Sequence, residues 1–182
     1  RQFSFPCLHP TDESLAREIL AAFEPDHPLV EELRGLRNQL SLRWSSTPAA
    51  RRAVALVSAE RGVGRSYVAA NLAVVFAQLG RRTLLIDADL HRPSQHTLFR
   101  LDNTVGLSSL RADRADNEPI QSLPAIPGLS VLVAGPSAPN ANDLLARSAM
   151  RALLDACSLR GARFVFADNL YMAGPQTAPL TE

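Results

Sequence analysis

The pattern of hydrophobic and polar positions changes near residue 53. Before that point hydrophobic residues recur at every third or fourth position, which predicts helices. A short helix is expected within residues 12–23, and a longer one with a single hydrophobic face over residues 29–44, with Trp44 as a packing anchor. After residue 53, short continuous hydrophobic runs alternate with helical patterns. This alternation predicts a mostly parallel sheet covered by helices on both faces.

The second part of the chain is predicted to contain four strands and two helices. Buried strands are expected at residues 53–58, 83–87, 129–134 and 164–167. Helices are expected at residues 66–79, closed by Gly80, and at residues 143–157. Residues 100–127 give only weak signals, because one glycine and three prolines interrupt them. The predicted fold class is therefore α/β, with a doubly wound, mostly parallel sheet.

Composition excludes several classes of protein. Of the 182 residues, 46% are hydrophobic and 20% are charged, which is ordinary globular usage. The chain has nineteen basic residues, all arginine, and eighteen acidic residues. The resulting net charge of +1 gives no indication that it binds nucleic acid or an anionic membrane. The two cysteines, Cys7 and Cys157, have no metal-ligand spacing, so a reducing compartment is expected. No hydrophobic run is long enough to cross a membrane.

A glycine-containing loop joins the first predicted strand to the next helix. The segment reads SAERGVGRSYVAAN over residues 58–71. Gly62 and Gly64 allow backbone N–H groups and a helix N-terminus to approach phosphate oxygens, and the Ser66 hydroxyl could bind magnesium. Compared with the pattern GxxxxGK[ST], Ala59 replaces the first glycine and Arg65 replaces the lysine. A glycine-rich turn without a ligand is the alternative interpretation of this loop.

Acidic residues follow two of the predicted strands. Asp87 and Asp89 end the strand at residues 83–87, and Asp168 ends the one at residues 164–167. Open α/β sheets bind ligands at the carboxyl ends of their strands, and buried carboxylates there need a cation or hydrogen-bond donors. The pattern favours a magnesium site that substrate phosphates share. Exposed acids at the strand ends are the alternative.

Arginine at position 65 changes the expected chemistry. Its planar guanidinium keeps the positive charge and can grip phosphate, but it is wider than the ammonium of lysine. We therefore expect phosphate binding to survive better than hydrolysis, since phosphoryl transfer depends on charge placed where it develops in the transition state.

Four segments together carry a family resemblance. They are SAERGVGRSYVAAN (58–71), LLIDADLHRPSQHTLF (84–99), GLS (106–108) and AGPSAPNANDLL (134–145). The chain resembles the bacterial protein tyrosine kinases of exopolysaccharide and capsule assembly, specifically the EpsG-type chain-length-determinant kinases. In that branch arginine and tyrosine are common where Arg65 and Tyr67 stand. The resemblance implies a P-loop NTPase of the MinD/ParA-like type, a three-layer sandwich that transfers the γ-phosphoryl group of ATP to tyrosines.

The resemblance also implies roles for individual residues. The residues expected to bind ATP are Gly62, Val63, Gly64, Arg65, Ser66 and Tyr67. Ser66, Asp87 and Asp168 would hold Mg²⁺. Arg65, Asp87 and Asp89 would be catalytic, with Arg65 on the β and γ phosphates and Asp89 favoured as the base.

A charged motif on the second predicted helix bears on the assembly of subunits. Glu31, Arg34 and Arg37 share one helical stripe, which by itself is typical of a solvated face. In the resembled family an ExxRxxR motif mediates contacts between subunits of a ring. The resemblance implies self-association through these residues, a membrane-anchored chain-length or co-polymerase partner, and a cytoplasmic location at the inner face of the membrane. We expect residues 1–28 to form a linker with a short helix, and residues 29–182 to form the kinase domain, incomplete at its C-terminal end.

Departures from the family pattern leave two further functions open. Val63, His91 and Asn169-Leu170 stand where the family usually has glutamate, arginine and Thr-Pro, and only two tyrosines are present. A catalytically weak or inactive nucleotide-binding module of the same machinery is the first alternative. A ParA/MinD-type ATPase is the last, because Glu60 stands where that group carries an additional lysine that reaches a partner's phosphates.

Overall fold

The structure is a computed structural model. It describes residues 8–9, 12–48, 52–58, 60, 62–109, 119–137, 153, 155 and 162–168. Its helices are α1 (Leu20–Phe23), α2 (Pro28–Arg43), α3 (Arg65–Ala77) and α4 (Gln95–Leu98), with a 3-10 helix at Leu107–Ser109. Its strands are β1 (Ala53–Leu56), β2 (Thr83–Asp87), β3 (Ile120–Ser122), β4 (Leu129–Leu132) and β5 (Phe164–Asp168).

The five strands form one sheet in the order β1-β5-β2-β4-β3. β1, β5, β2 and β4 run parallel, whereas β3 is antiparallel to β4. The predicted α/β class with a mostly parallel sheet is confirmed. The central strands β2 and β5 are buried along their whole length, as their continuous hydrophobic runs predict.

Two sequence predictions about strands differ from the structure, and one predicted helix lies mostly outside the described residues. The strand predicted as buried at residues 53–58 ends at Leu56 and alternates between exposed and half-buried positions, because only Val54 and Leu56 pack against the larger core. It is an edge strand of the described sheet, with β5 as its one neighbour there. β3 was not predicted, since its three residues lie half-buried or exposed in a region of weak signals. The predicted helix at residues 143–157 lies outside the described residues apart from positions 153 and 155, which are helical.

The first predicted helix is also wrong in extent. Only residues 20–23 of the expected 12–23 are helical. The Asp12 carboxylate accepts the Ser14 N–H (2.8 Å), and the Ala16 N–H donates to the distant Leu98 carbonyl oxygen (2.9 Å). In a helix that began at residue 12 the Ala16 N–H would bond to the Asp12 carbonyl oxygen; because it bonds to Leu98 instead, α1 begins late. α2 and α3 agree with prediction within two residues, and Gly80 closes the helical stretch with φ +68°. The short helices at Gln95–Leu98 and Leu107–Ser109 were not predicted.

α3 is the central helix of the larger core. Residues 69–77 are all buried, which fits a helix covered by the sheet on one side and by α1 and α2 on the others. The Trp44 ring stacks on Phe164 with centroids 5.3 Å apart, and Phe76 packs between them and Phe166. Trp44 is therefore the packing anchor that the sequence predicts. A smaller hydrophobic cluster, including Leu84, Ile86, Leu132 and Val165, covers the opposite face of the sheet.

The N-terminal segment, residues 12–24, packs against α3. The buried Asn71 side chain accepts the Ala21 N–H and donates to the Glu18 carbonyl oxygen, both at 2.9 Å. The Gln78 amide donates to the Ala21 carbonyl oxygen (2.9 Å). This segment therefore contributes to the same core as α3, while the predicted boundary at residue 28 stays a prediction. No helix in the described ranges is long and hydrophobic enough to span a bilayer.

Candidate functional site

The glycine loop, residues 58–64, lies between β1 and α3. Gly62 and Gly64 have φ values of +74° and +84°, a region that favours glycine. Gly64 is the N-cap of α3, and no side-chain hydrogen bond caps this helix end. A Cβ on either glycine would meet no atom within 4 Å in the described structure. The loop therefore leaves open space at an uncapped helix N-terminus, which is the arrangement that binds anions.

The Arg65 side chain folds back onto the start of this loop. Its Nη1 donates to Ser58 Oγ at 2.8 Å and lies 3.4 Å from the Ser58 carbonyl oxygen. Ser58 Oγ in turn donates to the Glu60 carbonyl oxygen at 2.6 Å. The guanidinium thus binds the first residue of the loop and also lies near Asp168, where its charge partly offsets the rise in pKa that burial causes.

Asp87, the last residue of β2, is fully buried. Its Oδ2 accepts the N–H groups of Ser94 (3.0 Å) and Gln95 (2.9 Å), and its Oδ1 accepts that of Asp89 (3.2 Å). Burial raises the pKa of Asp87 to about 7, and the nearby Asp168 charge adds to this, although the three N–H donors oppose it. Asp87 therefore holds the turn after β2 and titrates near neutrality.

Asp168 is the register partner of Asp87 on β5 and is also fully buried. Its Oδ2 accepts a hydrogen bond from Gln95 Nε2 at 2.8 Å, while its Oδ1 has no hydrogen-bond partner among the described residues. Burial raises the pKa of Asp168, which the nearby Ser66 hydroxyl, Gln95 amide and Arg65 guanidinium partly offset. Ser66 and Asp168 thus lie at one place, between the helix N-terminus and the end of β5.

Asp89 is half-buried on the turn that follows β2. Its Oδ1 accepts the N–H groups of His91 (3.2 Å) and Arg92 (2.8 Å), which orders the turn. Its charge contributes to the raised pKa of Asp168, so the two carboxylates lie near each other. Asp89 is the one of the three aspartates that solvent partly reaches.

Comparison with known proteins agrees with this geometry. The model of the ParA family, described as "NUBPL iron-transfer P-loop NTPase", matches residues 49–152, more than half of the chain. The chain belongs to the ParA family of P-loop NTPases. Proteins with this fold bind nucleotides in a loop between the first strand and the following helix, where the glycine loop lies.

The relatives of this P-loop NTPase are bacterial tyrosine kinases. "Tyrosine-protein kinase YwqD" of Bacillus subtilis is 39% identical over 145 residues, which are 79% of this chain and 60% of YwqD. The kinase domain of the Escherichia coli tyrosine kinase ETK is 33% identical with a TM-score of 0.75, covering 83% of this chain and 58% of that one. The chimerical protein CapA2B2 is 34% identical with a TM-score of 0.74, covering 85% of this chain and 66% of that one.

These relatives are longer than the matched region. The chain spans about three fifths of YwqD and of the ETK kinase domain and about two thirds of CapA2B2. Another relative, from Klebsiella pneumoniae, is named a putative tyrosine-protein kinase in the cps region and is 30% identical over 148 residues. The resemblance to bacterial tyrosine kinases that the sequence motifs carry is therefore confirmed at the level of the family.

The structure brings together some of the predicted site residues. Ser66, Asp87 and Asp168 meet where α3 begins and where β2 and β5 end. Val63 is 54% exposed at the tip of the glycine loop. Burial and the nearby Glu24 and Glu18 charges raise the pKa of Tyr67, so its hydroxyl lies on the side of the N-terminal segment. Asn169, Leu170 and Tyr171 lie outside the described residues.

The assembly motif lies elsewhere, on α2. Arg34 and Glu31 form an ion pair on the exposed surface. Arg37 is half-buried, and its Nη1 lies 3.5 Å from the Val75 carbonyl oxygen in the last turn of α3. Burial, followed by the Arg34 charge, lowers the pKa of Arg37. Arg37 therefore contributes to the packing of α2 on α3 as well as to this surface.

Sequence reasoning missed Gln95. This side chain is fully buried and joins Asp168 to the first turn of α3, where its Nε2 donates to the Ser66 carbonyl oxygen at 3.0 Å. The available signal was its position in the segment after the acidic strand end, eight residues beyond Asp87. That signal is weak, because a single glutamine is typical of many surface turns.

The residues present fit a magnesium ion only together with a ligand. In the described ranges there is no cluster of three or more His, Cys, Asp or Glu side chains that could hold a metal ion by itself. Asp168 Oδ1 is nevertheless a buried oxygen to which no described residue donates a hydrogen bond within normal distance, and the Ser66 hydroxyl lies near this carboxylate. Mg²⁺ is commonly bound through one or two carboxylates, waters and substrate phosphates, and this set of oxygen donors suits that mode.

Proposed function

We propose that this chain is the nucleotide-binding part of a bacterial tyrosine kinase that uses MgATP. In the reaction the bond between the γ-phosphorus and the β,γ-bridging oxygen breaks, and a bond from the γ-phosphorus to a tyrosine oxygen forms. ADP leaves, and the tyrosine hydroxyl gives its proton to a carboxylate. The observation that supports this proposal best is the meeting of Ser66, Asp87 and Asp168 beside an uncapped helix N-terminus.

In this proposal the glycine loop binds the phosphates. The backbone N–H groups of residues 62–67 surround them, and the helix N-terminus supplies partial positive charge. Ser66 and Asp168 hold Mg²⁺ and its waters, with Asp87 close to them. When bound, Mg²⁺ neutralises the charge that develops on the β and γ phosphates.

Asp89 is proposed as the base that accepts the tyrosine proton. Both oxygens of Asp87 accept backbone N–H groups and the side chain is fully buried, so an incoming hydroxyl does not reach it. Asp89 is partly open to solvent on the adjoining turn. Asp87 then orders the turn that carries Asp89, which makes it a positioning residue as well as a metal-site carboxylate.

A second candidate function is a nucleotide-binding regulatory module with weak or no kinase activity. The observation that favours it is the Arg65 side chain, whose Nη1 is hydrogen-bonded to Ser58 Oγ within the loop. Phosphoryl transfer needs a positively charged group beside the γ-phosphate in the transition state, whereas nucleotide binding needs only the backbone N–H donors. Val63 and Asn169, which depart from the family pattern, agree with this alternative.

The partner and location are proposed from the relatives. Because the Klebsiella pneumoniae relative is named a tyrosine-protein kinase in the cps region and the sequence motifs resemble kinases of polysaccharide assembly, we propose that the chain acts with a membrane-anchored polysaccharide co-polymerase at the inner face of the membrane. Self-association through Glu31, Arg34 and Arg37 would present one subunit's tyrosines to the site of the next. The ion pair between Glu31 and Arg34 lies on an accessible surface, which such a contact requires.

The two candidates differ in phosphoryl transfer. The full-length protein is incubated with γ-labelled ATP, Mg²⁺ and a tyrosine-containing acceptor peptide, and phosphotyrosine is measured. The kinase proposal expects label on tyrosine that falls at least about a hundredfold in Asp89→Asn, because a positioned base contributes 10²–10⁴-fold. Nucleotide binding without labelled tyrosine, in wild type and in a Ser58→Ala variant that releases Arg65, would favour the regulatory module.

A further inference from the structure

Gln95 contacts every element that forms the candidate metal site. It is the first residue of α4 and has no exposed surface. Its backbone N–H donates to Asp87 Oδ2 (2.9 Å) at the end of β2, and its Nε2 donates to Asp168 Oδ2 (2.8 Å) at the end of β5. The same Nε2 donates to the Ser66 carbonyl oxygen (3.0 Å) in the first turn of α3. One glutamine thereby joins two strand ends and the helix that follows the glycine loop.

The orientation of the Gln95 amide is fixed by the chemistry of its partners. A carbonyl oxygen and a carboxylate oxygen are both acceptors, so the amide nitrogen must face them and the reversed amide would place three oxygens together. Gln95 Oε1 therefore lies on the other side of the amide. It is buried and has no hydrogen-bond partner among the described residues, as is also true of Asp168 Oδ1.

Gln95 Oε1 and Asp168 Oδ1 are thus two buried acceptor oxygens, on side chains that are hydrogen-bonded to each other, for which the described residues supply no donor. We expect a hydrogen-bond donor beside them. Buried polar atoms are almost always hydrogen-bonded in folded proteins, so we expect each of these oxygens to have a hydrogen-bond partner. The two oxygens accept but cannot donate, which excludes a carbonyl or a bare carboxylate as that partner. The water ligands of a hard divalent cation are donors and suit both oxygens.

We propose that Gln95 is a positioning residue for the metal: its Nε2 fixes Ser66 and Asp168 relative to each other, and its Oε1 accepts a hydrogen bond from a metal-bound water. This inference rests on the proposed MgATP site. It assigns Gln95 a role in the magnesium dependence of nucleotide binding, separate from the binding of the phosphates by the glycine loop.

The test compares Gln95→Met with Gln78→Met in the full chain. Methionine keeps the length of glutamine but has no amide, and Gln78 provides a matched control, because its amide also donates to a backbone carbonyl oxygen, at Ala21. Binding of fluorescent ADP is measured with and without Mg²⁺. We expect the Mg²⁺ concentration for half-maximal effect to rise at least about tenfold in Gln95→Met, as for other residues that orient metal ligands. Affinity without Mg²⁺ should change less than about twofold, and Gln78→Met should match wild type in both.

A second measurement uses the wild-type protein and does not depend on the folding of a variant. The side-chain NH₂ resonances of glutamine are followed by NMR while Mg²⁺ is added to the ADP complex. We expect the Gln95 pair to shift and the Gln78 pair to stay in place.

The outcomes separate the two proposals. If wild-type protein binds ADP but its magnesium dependence is unchanged in Gln95→Met, or if the Gln95 resonances do not move, the role of Gln95 is wrong and the nucleotide site stands. If wild-type protein binds no nucleotide at all, the proposed function is wrong and the role of Gln95 is overturned with it.

Discussion

Asp87 and Asp168 are register partners at the carboxyl ends of two neighbouring parallel strands, and both side chains are fully buried. Two carboxyl groups in such a place repel each other and lose hydration when both are ionised. Backbone N–H groups bind one of them, and the Gln95 amide binds the other. A bound cation would offset the remaining repulsion, so the pair favours the binding of a positively charged ligand.

This pair predicts a pH-dependent stability. Burial raises the pKa of Asp87 from its ordinary value of 3.8 to about 7, so the folded state holds this proton more tightly than the unfolded chain does. The stabilising contribution is complete below pH 3.8 and is lost as the pH rises toward 7, by about 1.4 kcal/mol per unit and about 4 kcal/mol at most. Urea unfolding of wild type and Asp87→Asn from pH 4 to 8, without nucleotide, measures this difference.

The variant isolates the contribution of Asp87 because asparagine does not titrate. The free energy of unfolding of wild type minus that of Asp87→Asn should fall between pH 4 and 7 and become constant above pH 7. A difference that stays the same over the whole range would show that Asp87 titrates in its ordinary range.

Glycine substitutions should have opposite effects in the glycine loop and in α2. Gly64 has φ +84°, so alanine there is strained, and Gly64→Ala should lower the free energy of unfolding by about 1–2 kcal/mol. Gly35 lies within α2 and a Cβ there meets no atom within 4 Å, so Gly35→Ala should raise it by about 0.5–1 kcal/mol. Urea titration measures both.

The same two variants separate stability from nucleotide binding. Gly64→Ala should weaken ADP binding, because its Cβ occupies the open space of the loop, whereas Gly35→Ala should leave the affinity unchanged. Equal ADP affinity in Gly64→Ala and wild type would place the phosphates away from this loop.

The sequence predicted the parts of the site that depend on local patterns. Continuous hydrophobic runs that end in acids marked β2 and β5, and two glycines before a helical pattern marked the loop. Gln95 could not be found this way, because its partners Ser66 and Asp168 lie 29 and 73 positions away. The same reason explains the first helix: the Ala16 N–H bonds to Leu98, a contact that no local pattern contains.

The position of Arg65 shows a second limit of sequence reasoning. The motif has an arginine where a lysine is usual, and the absence of lysine from the whole chain is part of the explanation. Its hydrogen bond to Ser58 Oγ depends on the path of the loop, which the motif leaves open. The exposure of β1 at the edge of the described sheet could not be predicted either, since the order of strands depends on tertiary packing and not on a local pattern.

Substitutions in the assembly motif should affect self-association at Glu31 and Arg34, and the free energy of unfolding at Arg37. Glu31 and Arg34 form an exposed ion pair, so the variant Glu31→Ala/Arg34→Ala should change stability by less than about 1 kcal/mol while reducing self-association. Arg37→Ala should lower the free energy of unfolding by about 1 kcal/mol, because it leaves the Val75 carbonyl oxygen without this donor. Sedimentation velocity of the full-length protein, alone and with the proposed membrane partner, measures assembly, and urea unfolding measures stability. A double variant that sediments like wild type would contradict the proposed contact.

Calorimetric titration of the folded protein with ADP in the presence of Mg²⁺ tests whether the glycine loop and the neighbouring aspartates form a nucleotide site. We expect saturable binding that Asp168→Asn weakens in the presence of Mg²⁺ and leaves within about twofold in its absence, since Asp168 acts through the metal and the glycine loop through the phosphates. No binding heat with millimolar nucleotide and Mg²⁺, across temperatures at which the protein stays folded, would contradict it.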